Sequence, residues 1–416
     1  MTKKRIIVAH PEKQHSYRLV EAISDMGMLD EYITTVYYKK RNITRWIDGI
    51  TKGRIRLKEI RKMPFIADEK VKQFCELKGL MLLVLRHTAL KKLTNRMQNF
   101  NFDIFGKKVA LEAVKRKADV VIMYDTNSLE CFNKLKNTNI IRIMDTSIAN
   151  REYTKHIYES VIKCKTDWDN FSEKEILLNK KEMKRLRDEI KQTDYFLVPS
   201  QFVKKSLQFS GVAAEKIRIV PYGVDAKLFQ FSERRKDISS GVMELLFVGQ
   251  CSYRKGINYL LEAVDKLPEM VNLTIVGSYM GIPDLYEKYR QSQNIKFLGR
   301  IQHDKLPDVY SKADIFVLPS LSEGMSLVGL EAMAAGLPLL CSQNCGVNDV
   351  VIENENGWIL EEISTNSIIQ SLNYINSIRH RFPEMGIRAR KTAEQYSWDY
   401  YKNNMQKAIL QILGEL

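Results

Sequence analysis

Two glutamates, Glu323 and Glu331, stand eight residues apart in the stretch Pro319 to Ser342 (PSLSEGMSLVGLEAMAAGLPLLCS). The residue types predict a loop that carries Glu323, then a helix that begins after Ser326 as its N-cap and ends at Gly336. Side chains on a helix tilt toward its N-terminus, so Glu331 is expected to lean back toward Glu323. Carboxylates placed in this way suit a ligand rich in hydroxyl groups, because they accept strong charge-assisted hydrogen bonds.

The first turn of the same helix is a predicted anion site. The N–H groups of Met325, Ser326 and Leu327 have no partner within the helix, and the helix dipole favours a negative group beside them. A phosphate can therefore bind at this end, next to a sugar or ribose whose hydroxyls contact the two glutamates. The stretch predicts a site for a phosphorylated, hydroxyl-rich ligand.

Short β-branched or apolar runs alternate with helical patterns along almost the whole chain, which indicates βαβ units and parallel sheets. We predict an α/β fold of two Rossmann-like, doubly wound domains that face a cleft at the carboxyl ends of their strands. The domains are placed at residues 1–222 and 223–397, and a last helix over 398–416 is expected to pack back on the first domain. The predicted strands are Arg5–Ala9, Val120–Met123, Ile140–Met144, Phe196–Val198, Ile217–Val220, Leu245–Val248, Leu273–Val276, Ile295–Leu298, Ile315–Leu318 and Leu337–Leu340.

The composition excludes several classes of protein. With 416 residues, 44% of them hydrophobic and 28% charged, the chain is neither disordered nor a small disulfide scaffold. Six cysteines without a CxxC pair suggest neither a disulfide framework nor a zinc site, which favours a reducing, cytoplasmic setting. The most apolar run, Gly79 to Leu85, is far shorter than the roughly 20 residues that cross a bilayer, so no membrane span is expected.

The net charge of +15 is concentrated in Lys39 to Lys62, which holds ten basic and two acidic residues. Within it Ile43, Trp46, Ile47 and Ile50 recur at the spacing of one helical face. A basic helix with Trp on its apolar side is typical of a segment that binds an anionic membrane surface. The alternative is a domain helix whose Trp46 packs inward. Nucleic acid is not expected, because no basic and aromatic interleaving of a single-strand binder occurs.

Four ordered segments resemble the retaining glycosyltransferases of family 4, which have the GT-B fold. The ExxxxxxxE of Glu323 and Glu331, followed by LEAMAAGLP, is the first of them. The others are Leu245 to Ala263 (LLFVGQCSYRKGINYLLEA), Ile295 to Ser320 (IKFLGRIQHDKLPDVYSKADIFVLPS) and Pro199 to Phe229 (PSQFVKKSLQFSGVAAEKIRIVPYGVDAKLF). Together they cover most of the chain after residue 195.

The resemblance implies a role for each matching residue. Lys255 would bind the donor diphosphate, Glu331 the ribose hydroxyls, Glu323 the transferred sugar and the backbone near Ile301 the base. The implied function is an EC 2.4-class transferase that moves a sugar from a UDP- or GDP-linked donor to a glycan or lipid-linked acceptor, in bacterial surface polysaccharide synthesis. No cofactor and no essential metal are implied.

The sequence departs from the family pattern at two positions. Gln250 follows the strand glycine Gly249 where the family has Arg, and glutamine carries no charge. Arg254, next to Lys255, is predicted to supply the missing cation for the donor. Asp145 stands where many members have a cleft histidine. Either it acts on the acceptor hydroxyl or donor sugar, or it caps the helix that follows.

The first domain would bind the acceptor. Its loop His10 to Arg18 stands where the family has a glycine-rich loop, and we predict that His15 and Ser16 contact the acceptor, with His10 a weaker candidate. Asp167 and Asp169 form a DxD, which we interpret as a surface feature and not a metal site.

The departures from the family pattern at Gln250 and Asp145 are the reason for an alternative function, a non-catalytic GT-B subunit that binds a partner enzyme or a glycan. A sugar-nucleotide epimerase of the same fold is a third reading.

Overall fold

The computed structural model describes residues 3–13, 15–39, 42–50, 58, 61–85, 91–162, 165–229, 231 and 241–415. Within these residues the chain forms two wholly parallel sheets, one from each half, with helices packed around them. The predicted pair of doubly wound α/β domains is therefore confirmed.

The N-terminal sheet has the strand order β3-β2-β1-β4-β5-β6-β7. Its central strands are apolar along their whole length because both faces of the sheet are covered by helices. The four residues of the first strand, for example, are all fully buried. The elements are β1 Ile6–Ala9, α1 Ser16–Asp25, β2 Leu29–Thr34, α2 Ile43–Ile50, β3 Val71–Gln73, α3 Glu76–Leu85, α4 Lys91–Lys115, β4 Val120–Tyr124, α5 Leu129–Leu135, β5 Ile141–Asp145, α6 Arg151–Val161, α7 Lys174–Leu177, α8 Lys180–Lys191, β6 Tyr195–Val198, α9 Gln201–Phe209 and β7 Ile217–Ile219.

The C-terminal sheet has the order β10-β9-β8-β11-β12-β13. It carries the same kind of apolar strands, and the helix that holds Glu331 packs between this sheet and a later helix. The elements are β8 Met243–Val248, α10 Ile257–Asp265, β9 Val271–Val276, α11 Pro283–Tyr289, β10 Ile295–Gly299, α12 Leu306–Tyr310, β11 Ile315–Leu318, α13 Leu327–Ala334, β12 Leu339–Ser342, β13 Gly357–Leu360, α14 Thr365–Ser377, α15 Phe382–Gln395 and α16 Trp398–Leu413.

All ten predicted strands occur, with bounds that differ by at most two residues, but β2, β3 and β13 were not predicted. Strand β2 (LDEYIT) was missed because the charged Glu31 interrupts its apolar run. Glu31 is nevertheless buried, since it forms an ion pair of 3.0 Å with Arg116. Strands β3 and β13 have three and four residues and lie at the edges of their sheets, where a short apolar stretch is enough.

Each sheet reverses its strand order once, between β1 and β4 in the first domain and between β8 and β11 in the second. Ligands of doubly wound folds bind outside the carboxyl ends of the strands at such reversal points, because the neighbouring loops diverge there. The loops that follow β1, β5, β8 and β11 therefore form the site described below.

The chain passes between the domains twice, and the two crossings touch. Val224 pairs with Ser397 in an isolated parallel bridge. A Cβ at Gly223 would lie 2.5 Å from the carbonyl of Ser397, so a side chain does not fit there. The final helix α16 then returns to the first domain, where Gln406 Nε2 donates to the carbonyl of Ala22 at 3.1 Å.

The basic segment Lys39 to Lys62 is described only in part, since residues 40–41, 51–57 and 59–60 lie outside the described residues. Its predicted helix is α2, which is held to α3 by Thr44, whose N–H and hydroxyl both donate to Glu76 Oε1. Trp46 is 68% exposed, so the reading in which it packs inward is wrong. None of the described helices is long and apolar enough to cross a membrane.

Truncation of the buried Ile409 side chain tests how much α16 contributes to the stability of the two domains. Ile409 is fully buried, so Ile409→Ala leaves a cavity and is expected to lower the free energy of unfolding by roughly 2 to 5 kcal/mol. The measurement is guanidinium denaturation, with exposed Lys407→Ala on the same helix as the control. Equal stability of the two variants would show that the helix contributes little.

Candidate active site

Glu323 is the centre of the site in the second domain. It lies in the loop after β11, and one of its oxygens, Oε2, is 2.7 Å from both Lys255 Nζ and Arg254 Nη1. The two cations come from the 3₁₀ turn Tyr253–Lys255 that follows β8. The structure thus brings together three residues that the sequence predicted for one site.

The charges in this cluster are balanced across the domain boundary. Arg254 Nε also lies 3.3 Å from Glu173 Oε1 of the first domain, so two cations face two carboxylates. Burial alone would raise the pKa of Glu323, but Lys255 and Arg254 more than offset it and lower that pKa. Glu323 is therefore ionised at neutral pH. Gln250, in the position of the family's arginine, is exposed.

The predicted anion site lies at the start of α13. Ser326 occupies the N-cap position, yet its side chain makes no capping hydrogen bond, and its buried Oγ has no partner among the described residues. Leu327 is partly exposed, and Met325 is buried with its sulfur 3.2 Å from the N–H of Tyr222. An unpartnered hydroxyl beside free helix N–H groups is a ready donor set for an anion.

Glu331 is oriented by two residues that the sequence reasoning did not single out. Its Oε1 is 2.9 Å from His303 Nε2, and its Oε2 accepts a hydrogen bond of 3.1 Å from the hydroxyl of Tyr310. His303 and Tyr310 both lie in the segment that resembles the family's base-binding region. That resemblance was the feature of the sequence from which the two residues could have been predicted. Ile301, two residues after β10, is half-buried beside them.

Asp145 and His15 form the corresponding site of the first domain. Asp145 ends β5, and its Oδ2 is 2.9 Å from His15 Nε2. Helix α6 is capped by Asn150, whose side chain accepts from the N–H of Glu152, so the capping role considered for Asp145 is wrong. Its carboxylate faces the cleft loop instead.

Tyr222 connects the two half-sites. Its hydroxyl lies 3.4 Å from His15 Nε2 in the first domain, while its N–H contacts Met325 of the second. The domains also touch directly where the hydroxyls of Thr154 and Ser322 are 3.2 Å apart and buried. Tyr222 therefore links the His15 and Asp145 pair to the start of α13 across the domain boundary.

Ser16, His10 and Asp169 each have a partner within the protein. Ser16 is fully buried, and its hydroxyl is 3.0 Å from that of Tyr32, so contact with an acceptor would require this bond to break. His10 is also buried and accepts from the N–H of Glu12 through Nδ1. Asp169 pairs with Lys174 on the surface, and the side chain of Asp167 lies outside the described residues.

The comparisons with known proteins agree with this geometry. A family model, "Glycosyl transferases group 1", matches residues 229–392, which include β8 to β13 and every site residue of the second domain. Residues 229–392 are thus similar to a glycosyl transferases group 1 domain. The predicted transferase class is thereby confirmed for this domain.

Sulfoquinovosyl transferase SQD2 of Arabidopsis thaliana is 32% identical over 216 residues, which are 49% of this chain and 42% of that protein. The chain thus spans less than half the length of this relative. The sucrose-phosphate synthase structure from Thermosynechococcus elongatus superposes with a TM-score of 0.65 at 17% identity, covering 100% of both chains. Anabaena Alr3699/HepE in complex with UDP and glucose gives 0.61 at 14% identity, covering 99% of this chain and 100% of that one. The GT-B fold is confirmed.

Because Glu323 is ionised in the folded protein, we expect the free energy of unfolding to depend on pH. Glu323→Gln leaves the buried Lys255 without its carboxylate and Arg254 with Glu173 alone, and is expected to lower stability by roughly 3 kcal/mol at pH 7. Because the folded pKa lies below the ordinary 4.5, this contribution is present above about pH 4.5 and disappears as pH falls through the folded value. Denaturation at pH 7, 5, 4 and 3 measures the gap between the variants, with exposed Glu362→Gln as the control. A gap that stays constant over this range would contradict the assignment.

Proposed function

We propose that the chain is a retaining glycosyltransferase of family 4 that transfers a sugar from a UDP- or GDP-linked donor to a glycan or lipid-linked acceptor. The proposed setting is bacterial surface polysaccharide synthesis, such as capsule, O-antigen or exopolysaccharide. The observation that carries the proposal is Glu323 between Lys255 and Arg254, opposite the His15 and Asp145 pair. Retention is implied by the family resemblance alone.

The donor would bind to the second domain, and the structurally similar HepE is a protein in complex with UDP and glucose. Its diphosphate would replace Glu323 and Glu173 as the partner of Lys255 and Arg254, and the N–H groups at the start of α13 would complete its contacts. Glu331 is held by His303 and Tyr310 in an orientation that suits ribose hydroxyls. Negative charge that develops on the leaving nucleoside diphosphate is then stabilised by groups already in place.

The acceptor would lie on the first domain. His15, aligned by Asp145 at 2.9 Å, is placed to hold an acceptor hydroxyl at the cleft and to take part in its proton transfer. Tyr222 contacts both half-sites, so acceptor and donor would meet beside it. Glu323, released by the diphosphate from one or both cations, would then be free to contact the transferred sugar.

A panel of sugar nucleotides tests the donor assignment. Purified protein is expected to hydrolyse one donor slowly and release UDP, GDP or ADP, and Glu331→Ala is expected to reduce this at least tenfold through loss of the ribose contact. The matched control is the exposed carboxylate variant Glu362→Ala, which should keep the full rate. No release from any donor and no thermal shift with any nucleotide would favour the non-catalytic subunit.

We further propose that the protein works at the inner face of the cytoplasmic membrane. The apolar face, defined here as Trp46, Leu77, Met81 and Phe100, is 47 to 68% exposed. Helices α2 and α3 are joined through Thr44 and Glu76, and Lys78 Nζ lies 5.2 Å from the centre of the Phe100 ring. Exposed apolar side chains beside a strongly basic segment fit an anionic lipid surface.

Vesicle co-sedimentation tests this membrane contact. Vesicles containing anionic phosphatidylglycerol at about 0.15 M salt are expected to bind the protein, and Trp46→Ser is expected to weaken binding about tenfold through loss of inserted apolar area. The control is Met280→Gln, which removes an even more exposed apolar side chain from the second domain. If the protein ignores the anionic vesicles, the membrane proposal fails.

A further inference from the structure

Tyr124 and Tyr401 carry two buried hydroxyl groups that take no part in the contacts described above. Tyr124 is fully buried and Tyr401 is 1% exposed, and neither hydroxyl has a hydrogen-bond partner among the described residues. A buried hydroxyl without a partner destabilises the fold, whereas phenylalanine would fill the same space without that cost. Two such hydroxyls in one domain therefore point to a role other than stability.

Tyr124 lies beside Asp145 on one face of the first sheet. The two residues end the neighbouring parallel strands β4 and β5 and are register partners, so their side chains point to the same face. The centre of the Tyr124 ring is 5.2 Å from that of His15, and the two rings are nearly perpendicular, at 71°. The Tyr124 ring therefore packs against the imidazole that is paired with Asp145.

Tyr222 and Tyr401 extend the same group of rings toward the C-terminal helix. The centre of the Tyr222 ring is 4.8 Å from that of His15, and its hydroxyl lies 3.4 and 3.5 Å from the two imidazole nitrogens. The centre of the Tyr401 ring is 6.2 Å from that of Tyr222. Tyr401 belongs to α16, which packs on α1, the helix that begins after His15. The last helix of the chain thus contributes a side chain to the surroundings of the His15 and Asp145 pair.

Tyr124, Tyr222 and Tyr401, the tyrosine cluster, stay uncharged at neutral pH. Burial first, and then the negative charge of Asp145, raise the pKa of each of these hydroxyls well above its ordinary value. A neutral hydroxyl oxygen can face a cation, and an aromatic ring attracts a cation to its negative face. In this pair, His15 is the group that becomes cationic when it takes a proton.

Other titratable groups surround the pair, so a test of the tyrosine cluster has to leave them in place. Asp125 follows β4, and desolvation and then a neighbouring carboxylate raise its pKa to about 7. The centre of the His10 ring is 4.5 Å from that of Tyr124, and the charge of Arg18 on α1 acts on Tyr401. A substitution of tyrosine by phenylalanine leaves all these charged groups in place, because it removes only a neutral hydroxyl.

We propose that the tyrosine cluster positions the His15 imidazole against Asp145 and stabilises the positive charge that His15 gains when it takes the proton of the acceptor hydroxyl. The acceptor O–H bond breaks and an N–H bond forms at Nδ1 of His15, because Nε2 faces Asp145. The electron pair of the acceptor oxygen forms the new bond to the sugar, and the electron pair of the broken sugar–phosphate bond leaves with the nucleoside diphosphate. This inference rests on the proposed glycosyltransferase function and adds three positioning residues to it, one of them on α16.

Phenylalanine variants test the tyrosine cluster because they keep each ring and remove only its hydroxyl. Water serves as the acceptor in donor hydrolysis, so the donor that the sugar-nucleotide panel identifies is the substrate. Tyr124→Phe, Tyr222→Phe and Tyr401→Phe are each expected to lower kcat about tenfold and to leave the donor KM unchanged. The matched control is Tyr289→Phe at a buried tyrosine of the second domain, which should keep both constants. An unchanged kcat in the three cluster variants overturns the proposal.

Thermal denaturation shows whether the hydroxyls serve the fold instead. Tyr124→Phe and Tyr401→Phe remove hydroxyls that have no partner among the described residues, so the Tm of each variant is expected to equal or exceed that of the parent. If the Tm falls together with kcat in both variants, the hydroxyls are structural and the proposal is wrong.

The NMR signals of the histidine rings give a readout that needs no substrate. The chain has six histidines, and the ring signal that disappears in His15→Gln is that of His15. In the three phenylalanine variants the pH midpoint of this signal is expected to move to lower pH, because the cationic imidazole loses a polar neighbour. A midpoint that stays where it is in the parent, or that moves to higher pH, overturns the proposal.

The two kinds of measurement separate this inference from the proposed function. If the midpoint of His15 shifts as expected but no sugar nucleotide binds or is hydrolysed, the transferase proposal fails and the tyrosine cluster keeps only its effect on His15. If a donor is hydrolysed and the phenylalanine variants match the parent in kcat and midpoint, the transferase proposal stands and the role of the tyrosine cluster is wrong.

Discussion

The cleft depends on one carboxylate shared by two cations. Charges taken out of water are tolerated only when each has its partner, so Glu323, Lys255 and Arg254 stabilise one another's position. The backbone allows this because Gly256 adopts φ +67° and a Cβ there would lie 1.9 Å from the carbonyl of Pro319. The loops after β8 and β11 can thus approach closely enough for the ion pairs to form.

The same cluster links the domains, because Arg254 reaches Glu173 of the first domain. A ligand anion that binds the two cations would compete with both carboxylates at once. Under the proposed function, donor binding would therefore be coupled to the contact between the domains through this cluster itself. Tyr222 contacts both His15 and Met325, so a change in the contact between the domains would alter its interactions in both domains.

The family model matches only part of the chain. It covers residues 229–392, and Arg254, Lys255, Glu323 and Glu331 lie within this range. The His15 and Asp145 pair and the exposed apolar face lie in the first domain, outside that range. The contacts of the second domain can therefore be compared with a known family, whereas those of the first domain are described by this structure alone.

The sequence by itself determined the parallel α/β architecture, and it predicted that Glu323 and Glu331 belong to one site, because apolar runs, glycines and the spacing of these two residues are read from neighbouring positions. It missed β2, whose buried Glu31 depends on Arg116 from another element. Only the tertiary structure decided that Asp145 meets His15, that Trp46 faces outward and that His303 and Tyr310 hold Glu331. These contacts join segments far apart in the chain, and which segments meet is set by strand order and domain packing, which local periodicity does not encode.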